Sequence, residues 1–546
     1  MSKTDLALNF EKQAVTTLRA KLLRSAKADF DEKHNDFNEG YDRRTYYDST
    51  TQQVYYPWIH SKGLTHNATT GWPLKADVDL LLQARSTATS EAVDAIPLSG
   101  GATRKIQNIL VGHNFNIIGT DPSPTLDVIT KPAVDSQESS FEMAEVYSKS
   151  LLRDVSFWDI EQGVNATANT HITNLNAFPS KSMAPVDGGL ITAPLLHRDS
   201  LPGCLDGPYV SQFLVNGSYF NPIRNENNQA QFRTWNDTIG SQDITNWLSI
   251  QNGEEPLSTQ GLSTPLFIWN ARYLMAIGFT ESPAQTMAWL TDYILNQSLL
   301  ALQFQGSDNN DNYISGGLPS LHSSIQGVIT ASMSTCAHHK WGVQMSLRPE
   351  ALAQRYHLAE TLNNNSALFD DVPGFQFIKD QVNGVMAPFI GEVQTQSTTG
   401  TALLRLTRGS GSSMDPSKPS MWSVVAGACI TIFKAYLECH DEFDQELAYP
   451  YSVIHSLTGG LPTTYAVPPG TTITINGELN KLASNLGMCQ SWLGESFRSC
   501  LAYELGEKIG IRYLEDIQRS FHESYDGFEG FTLTKFDGTY TVIGAQ

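Results

Sequence analysis

Two permanent cations, Lys340 and Arg348, stand eight residues apart in HKWGVQMSLRPEALAQRYH. An ammonium is a compact point charge and a guanidinium offers a planar fork to two oxygens, so the pair has the chemistry to hold one oxyanion. Two such residues can equally serve as solvated or structural ion-pair partners, and spacing alone does not choose. Further on, DPSKPSMWSVVAGACITIFKAYLE places Ser420 just after Pro419, where an apolar helical run begins. There a serine hydroxyl and the following backbone N–H groups would face the same anion, favoured by the helix dipole. Trp422, two residues on, reads either as core packing or as an aromatic wall able to stabilise a cation by ~2 kcal/mol when dry.

Other candidates carry less. His338 and His339 are adjacent, so on a helix they point about 100° apart and do not converge easily on one ion. His357 lies beyond the Arg348 segment and reads as structural. Asp308 and Asp311 in SDNNDNY, and Asp441, Glu442 and Asp444 in CHDEFDQE, have carboxylate spacing compatible with Mg²⁺. Asp441 lies 21 residues past Ser420, roughly 30 Å along a continuous helix, so that second cluster reads as a solvated face. No Ser-His-Asp triad, P-loop or G-x-G-x-x-G pattern stands out.

The elements that must position these residues belong to a 546-residue chain in which 10 Trp, 20 Tyr and 24 Phe supply material for a large core. A formal net charge of −20 argues against nucleic acid or an anionic membrane as partner, since both require a basic face. The six cysteines include no C-x-x-C pair, which fits free thiols in a reducing, cytoplasmic setting better than a disulfide framework. The N-terminal stretch MSKTDLALNFEKQAVTTLRAKLLRSAKADFDEK lacks a secretory apolar core and reads as a charged amphipathic helix. No run approaches the ~20 apolar residues that span a bilayer. The sequons at Asn216 and Asn236 are therefore read as chance.

Residues 1–135 read as an N-terminal arm with wrapping segments, and 136–546 as a helical bundle with a C-terminal β-hairpin. Helical spacing sets in at FEMAEVYSKSLLRDVSFW, and 284–304 (AQTMAWLTDYILNQSLLALQF) is apolar nearly all round, as a core helix would be. MWSVVAGACITIFKAYLE, GELNKLASNLGMC and CLAYELGEKIGIRYLEDIQRSF predict three more helices. GTTITI, before Gly477, reads as a short strand. FTLTKFDGTYTVIG alternates around Asp537-Gly538 and predicts a hairpin. The fold class is mainly α with small β accessories.

From about residue 62 to the C-terminus, the order and flanking words (RPEAL, AGACITIFKAYLE, GELNKLA, FTLTKFDG) resemble the vanadium-dependent haloperoxidases, in particular their algal and cyanobacterial bromoperoxidase branch. The resemblance implies a helical bundle with an oxyanion site at its centre, a wrapping N-terminal arm and association into a homo-oligomer of at least two chains. In that family Lys and Arg clamp vanadate, Pro-Ser-Gly-His supplies a serine and a catalytic histidine, and Arg-x5-His supplies a last arginine and the metal-ligating histidine. Lys340, Arg348 and Ser420 match; Met421, Trp422, Gln490 and Ser496 fall where the family has Gly, His, Arg and His. Arg498 has a family counterpart of its own and does not replace the lost cation. The resemblance thus implies a half-kept oxyanion pocket with its peroxidase chemistry removed, so vanadate is not expected.

Joined by Trp492 and Phe497, Trp422 would give that pocket an apolar, π-rich floor. The first expectation is therefore a lyase or cyclase of the terpene-synthase kind, acting on a hydrophobic phosphate or isoprenoid diphosphate ester. Arg348, Lys340 and Trp422 would be catalytic, with Ser420, Gln490, Ser496, Trp492 and Phe497 binding substrate. Two cations cannot balance a trianionic diphosphate, so Mg²⁺ would accompany it, at a site the sequence does not reveal. The competing readings are another vanadium-independent catalyst (a rearrangement or phosphatase type), a non-catalytic binding or structural relative, and a bromoperoxidase after all.

Overall fold

The computed structural model describes residues 43–111, 131–215, 218–221, 226–229, 242–256, 266–280, 287, 291, 317–362, 369–437, 439, 445–446, 448, 453–454, 463–464, 471–524 and 530–544. Its principal helices are α1 (Lys75–Thr87), α2 (Gln137–Leu151), α3 (Ala271–Thr280), α4 (Leu318–His338), α5 (Pro349–Thr361), α6 (Met421–Tyr436), α7 (Ile475–Trp492) and α8 (Tyr503–Ser524). Among the described residues the β structure is confined to two-stranded antiparallel pairs. The protein is mainly α, a helical haloperoxidase-like fold.

The apolar run after Ser420 forms the axis. Every residue of α6 from Trp422 to Tyr436 is buried, and α8, α4 and α7 pack around it. The approach of α8 is close because the contact is built on small residues. A Cβ on Gly506 would run into the Val424 carbonyl, and one on Gly427 into the Tyr503 carbonyl. Neither glycine sits in a turn; each is where the backbones nearly touch.

α2 and α7 are also buried on all sides, so their charged residues must be paired internally. The α2 N-cap, Ser136, accepts from Ser139 N at 3.1 Å, and Thr474 caps α7 by accepting from Gly477 N at 3.0 Å. From α2, Glu145 receives Arg498 through two guanidinium nitrogens, Nε at 3.0 Å, and Lys149 at 3.2 Å. Glu142 accepts from the Ser499 backbone N–H at 2.9 Å and from its hydroxyl at 2.8 Å. Arg498 is thus a structural cation locked to α2.

Two expectations meet different outcomes at the C-terminal end. The hairpin forms, pairing Phe531–Thr534 with Tyr540–Ile543, and its turn is closed by Thr539 N donating to Asp537 Oδ1 at 2.8 Å with Gly538 at φ 82°. The strand expected at GTTITI does not form. Thr474 makes only an isolated bridge to Ala448, and its hydroxyl serves the first turn of α7 instead. The apolar segment 284–304 lies outside the described residues except Met287 and Thr291, which are helical and buried. The amphipathic N-terminal stretch and the sequons at Asn216 and Asn236 lie outside them as well.

The segment 43–111 crosses α5 and is tied to it by charge. Arg355 donates to the Pro57 carbonyl through Nε at 3.0 Å and a terminal nitrogen at 2.9 Å. Glu350, buried at the start of α5, gathers Lys62 Nζ at 2.7 Å, Gln251 Nε2 at 3.1 Å, Ser412 Oγ at 2.7 Å and Ser412 N at 3.0 Å. Burial alone would raise this carboxyl, but Lys62 and the Ser412 donors outweigh it and hold it at about 2. Three remote stretches of chain therefore meet on one carboxylate. Glu350→Gln should strand the Lys62 ammonium and cost about 3–5 kcal/mol in urea denaturation, with Lys62→Met added to it recovering most of the loss.

Several imidazoles are buried neutral. Burial pushes His66 down to about 4 and His197 to about 3, against 6.5 for an ordinary histidine. Their folded values lie below the unfolded one, so the unfolded chain binds more protons between them. Stability is therefore complete above pH 6.5 and falls as pH drops toward 4, by ~1.4 kcal/mol per pH unit for each such group. Thermal melts from pH 7.5 to 4 should show a steady decline in Tm across that window; a flat profile would mean these rings protonate without cost.

Candidate oxyanion site

α4 ends at His338, and the next six residues, His339–Gln344, form a wider π-helical turn that Met345 closes in a left-handed conformation at φ 39°. That turn carries Lys340 inward, where it is 3% exposed. Four residues later Arg348 is the N-cap of α5, with Pro349 at the first helical position, where no N–H is needed. The two cations meet on a residue from the loop before α6. Lys340 Nζ lies 2.9 Å from Asp415 Oδ2 and donates to the Pro416 carbonyl at 2.7 Å. Arg348 pairs with Asp415 Oδ1, donates from Nε to the Asp415 carbonyl at 2.7 Å, and reaches the Glu495 carbonyl at 2.9 Å. Burial would raise the Asp415 carboxyl, but Lys340 and Arg348 prevail and hold it at about 2. The two cations are ion-paired, as the second reading of the sequence had it, and both also line a cavity.

That cavity, of about 330 Å³, is also walled by Ser420, Met421, Trp422, Gln490, Glu495 and Ser496. Ser420 is the N-cap of α6; its N–H donates to the Cys500 carbonyl at 2.7 Å, while its buried hydroxyl has no hydrogen-bond partner among the described residues. From the end of α7, Gln490 accepts from Trp422 Nε1 at 2.9 Å and donates to Glu495 Oε2 at 3.0 Å in the amide orientation that satisfies both ends. Glu495 also faces Arg408 Nε at 3.3 Å, and Arg408 borders the cavity as a third cation. Ser496 turns its hydroxyl to the Phe497 carbonyl at 3.3 Å. Among the described residues, three cations and two carboxylates leave the lining with one net positive charge.

Lys340, Arg348, Ser420, Trp422, Gln490 and Ser496 therefore converge on one cavity. Trp492 and Phe497 do not join them. Trp492 follows Gln490 by two helical positions, about 200° around the helix, and donates to the Tyr209 hydroxyl at 3.0 Å, its ring edge-on to His197. Phe497 is extended backbone beside Ser496 and so points the opposite way, into the core with Lys131 Nζ 4.5 Å from its ring centre. The floor is a single indole, not an aromatic basin. Asp415, Glu495 and Arg408 were not anticipated; Glu495 directly precedes Ser496 and Asp415 lies five residues before Ser420, and that nearness is the signal that could have exposed these two, while nothing local marks Arg408.

His338 and His339 are buried with rings edge to face at 5.4 Å. His357 is half-hidden at the far side of α5, near Ala402 N at 3.4 Å. Among the described residues no three His, Cys, Asp or Glu side chains are grouped to hold a metal. Asp308, Asp311, Asp441, Glu442 and Asp444 lie outside them.

Curated relatives place this arrangement. A vanadium-dependent bromoperoxidase of Ascophyllum nodosum is 29% identical, the match covering 76% of this chain and 74% of the relative. Those of Corallina pilulifera and Corallina officinalis are 25% and 24% identical, each match covering 80% of this chain and 79% of the relative. The homohexameric structure of a second vanadate-dependent bromoperoxidase from Ascophyllum nodosum superposes with a TM-score of 0.77 at 25% identity, covering 96% of this chain and 90% of that one. Over most of its length the chain is homologous to these vanadium-dependent bromoperoxidases and shares their helical fold. No family model matches it.

The cofactor named in these relatives needs donors that the described cavity wall does not supply. Among the described residues none bordering the cavity is a histidine, and the indole N–H of Trp422 is a donor only, already engaged. The residues present do not fit a vanadate ligated through imidazole. If Asp415 masks the two cations, Asp415→Asn should raise the affinity for inorganic phosphate tenfold or more by calorimetry while lowering the urea midpoint, because two buried cations lose their counter-charge. Unchanged phosphate affinity would mean that Asp415 does not compete for the pocket.

Proposed function

We propose that this haloperoxidase-like protein binds a small oxyanion, a phosphate or phosphate ester held as its monoanion, in a pocket that has lost vanadium-dependent peroxidase chemistry. The observation that carries the reading is the buried, unpartnered Ser420 hydroxyl at the α6 N-terminus, in a wall bearing one net positive charge. Helix N-termini favour anions, and a single negative charge brings this lining to neutrality. On the family motif, Trp422 and Ser496 stand where histidines would act, which agrees with the donor set.

The prenyl diphosphate expected from the sequence is less well supported. Steering a carbocation needs an extensive apolar wall, and among the described residues Met421 and Trp422 are the only large apolar ones bordering the cavity. A trianion would also overshoot the available charge unless Mg²⁺ came with it. Hydrolysis is no better served: neither the Ser420 nor the Ser496 hydroxyl is hydrogen-bonded to a base among the described residues, so neither is an activated nucleophile. Binding without turnover is the function this geometry favours, and no reaction is assigned.

The homohexameric Ascophyllum structure supports assembly of this chain into a homo-oligomer, with light scattering as the check. All six cysteines are buried free thiols, which supports a reducing, cytoplasmic setting. No helix of the described residues is long and apolar enough to cross a membrane.

A phosphate monoester with its second ionisation near pH 6 should bind more tightly at pH 5 than at pH 8, because the dianion exceeds the charge the pocket can neutralise. Arg348→Ala should weaken it by about a hundredfold, on the order of 2–5 kcal/mol for a buried charge contact. With vanadate and peroxide the protein should not brominate a phenol dye. Bromination with vanadium retained through gel filtration would overturn the reading, and cyclic products from prenyl diphosphates would restore the lyase expectation.

A further inference from the structure

A second cavity, of about 130 Å³, lies beside Lys418, between the loop at Ser200 and the start of α8. Its rim carries the exposed Met183, Glu504 and Lys508, and its inner wall is formed by Leu505, Tyr503 and Lys418. Lys418 is only 1% exposed, yet its ammonium has no hydrogen-bond partner among the described residues. Every other lysine 3% exposed or less among the described residues donates to a carboxylate, carbonyl or hydroxyl: Lys62 to Glu350, Lys149 to Ser491, Lys340 to Pro416, Lys434 to Thr534 and Lys481 to Glu478. A buried ammonium left without a partner is expensive, so its presence in a cavity wall points to an absent counter-ion.

We propose that this cavity is a binding site for a small organic monocarboxylate, whose carboxylate meets the Lys418 ammonium and whose apolar body, about the size of a benzene ring, lies against Leu505, Leu501 and Leu201. The size follows from the volume: an apolar protein cavity of ~150 Å³ accommodates benzene. The wall chemistry follows from the same residues: three leucines stand with Lys418, the neighbouring Arg498 is already paired with Glu145 and lies near Asp199, and the exposed Glu504 and Lys508 offset each other at the rim. Burial pushes the Lys418 ammonium below the ordinary lysine value; Cys500 and Glu142 oppose that shift and Lys131 adds to it. An arriving carboxylate would restore the charged form. The site is independent of the phosphate reading, because none of its wall residues borders the first cavity.

The test uses the full-length protein with benzoate as probe and benzyl alcohol as its neutral counterpart. Benzoate should raise Tm in a concentration-dependent way and bind by calorimetry at least tenfold more tightly than benzyl alcohol. Lys418→Met should abolish the benzoate effect. Without ligand its Tm should equal or exceed that of the unaltered protein, because an unpaired buried charge has been replaced by a methionine of similar length. Equal affinity for benzoate and benzyl alcohol would overturn the proposal, and that comparison needs no variant. Benzoate binding that survives Lys418→Met would overturn it too. Trapping of a borohydride-reducible benzaldehyde adduct on Lys418, with no benzoate binding, would show that the amine is neutral and not an anion receptor.

Discussion

A single carboxylate, Asp415, holds the oxyanion site together. Lys340 arrives on a π-helical turn and Arg348 on a helix cap, two backbone conformations with no reason of their own to converge. Like charges buried side by side repel, and in a poorly solvated wall that repulsion is weakly screened. Asp415 converts it to attraction by bonding both, and its main-chain carbonyl and that of Pro416 take the donors left over. The shape of the cavity and its low net charge have the same origin. A wall that two cations alone would have made strongly positive is brought to a modest potential.

Around that constraint the helices act as a rigid frame. α6 supplies Ser420 and Trp422 from its first turn, α7 supplies Gln490 from its last, and the loop that follows brings Glu495 and Ser496 back to the same wall. The indole of Trp422, the Gln490 amide, the Glu495 carboxylate and the Arg408 guanidinium form one chain of hydrogen bonds and charge contacts. An aromatic residue placed where chemistry could occur is thereby fixed in orientation. Its role in the wall is as a spacer and a hydrogen-bond donor to its neighbour.

The sequence made the fold legible because its helices are long, apolar and bounded by clear caps, and because the Asp537-Gly538 turn determines its hairpin. It also disclosed the residues of the site that belong to recognisable words: Lys340, Arg348, Ser420, Trp422, Gln490 and Ser496. It concealed their charge partners. Whether a loop carboxylate such as Asp415 or Glu495 turns inward depends on how the loop folds against elements far away in the chain, and no local spacing encodes that. Trp492 and Phe497 misled for a related reason, since nearness in sequence does not mean a shared face. GTTITI misled because β-branched residues favour strands only when a partner strand is at hand; here Thr474 had a helix to cap.

The pairing of Arg498 with Glu145 joins residues 353 positions apart. A ribosome adding ~5–20 residues each second takes roughly 20–70 s to deliver the arginine after the glutamate has emerged. During that interval Glu145 lacks its guanidinium, although helices that pack on α2, among them α5, have already been made. A carboxylate is costly to bury unpaired, so this one stays hydrated until the arginine arrives, and the final burial of that end of α2 waits on the last quarter of the chain.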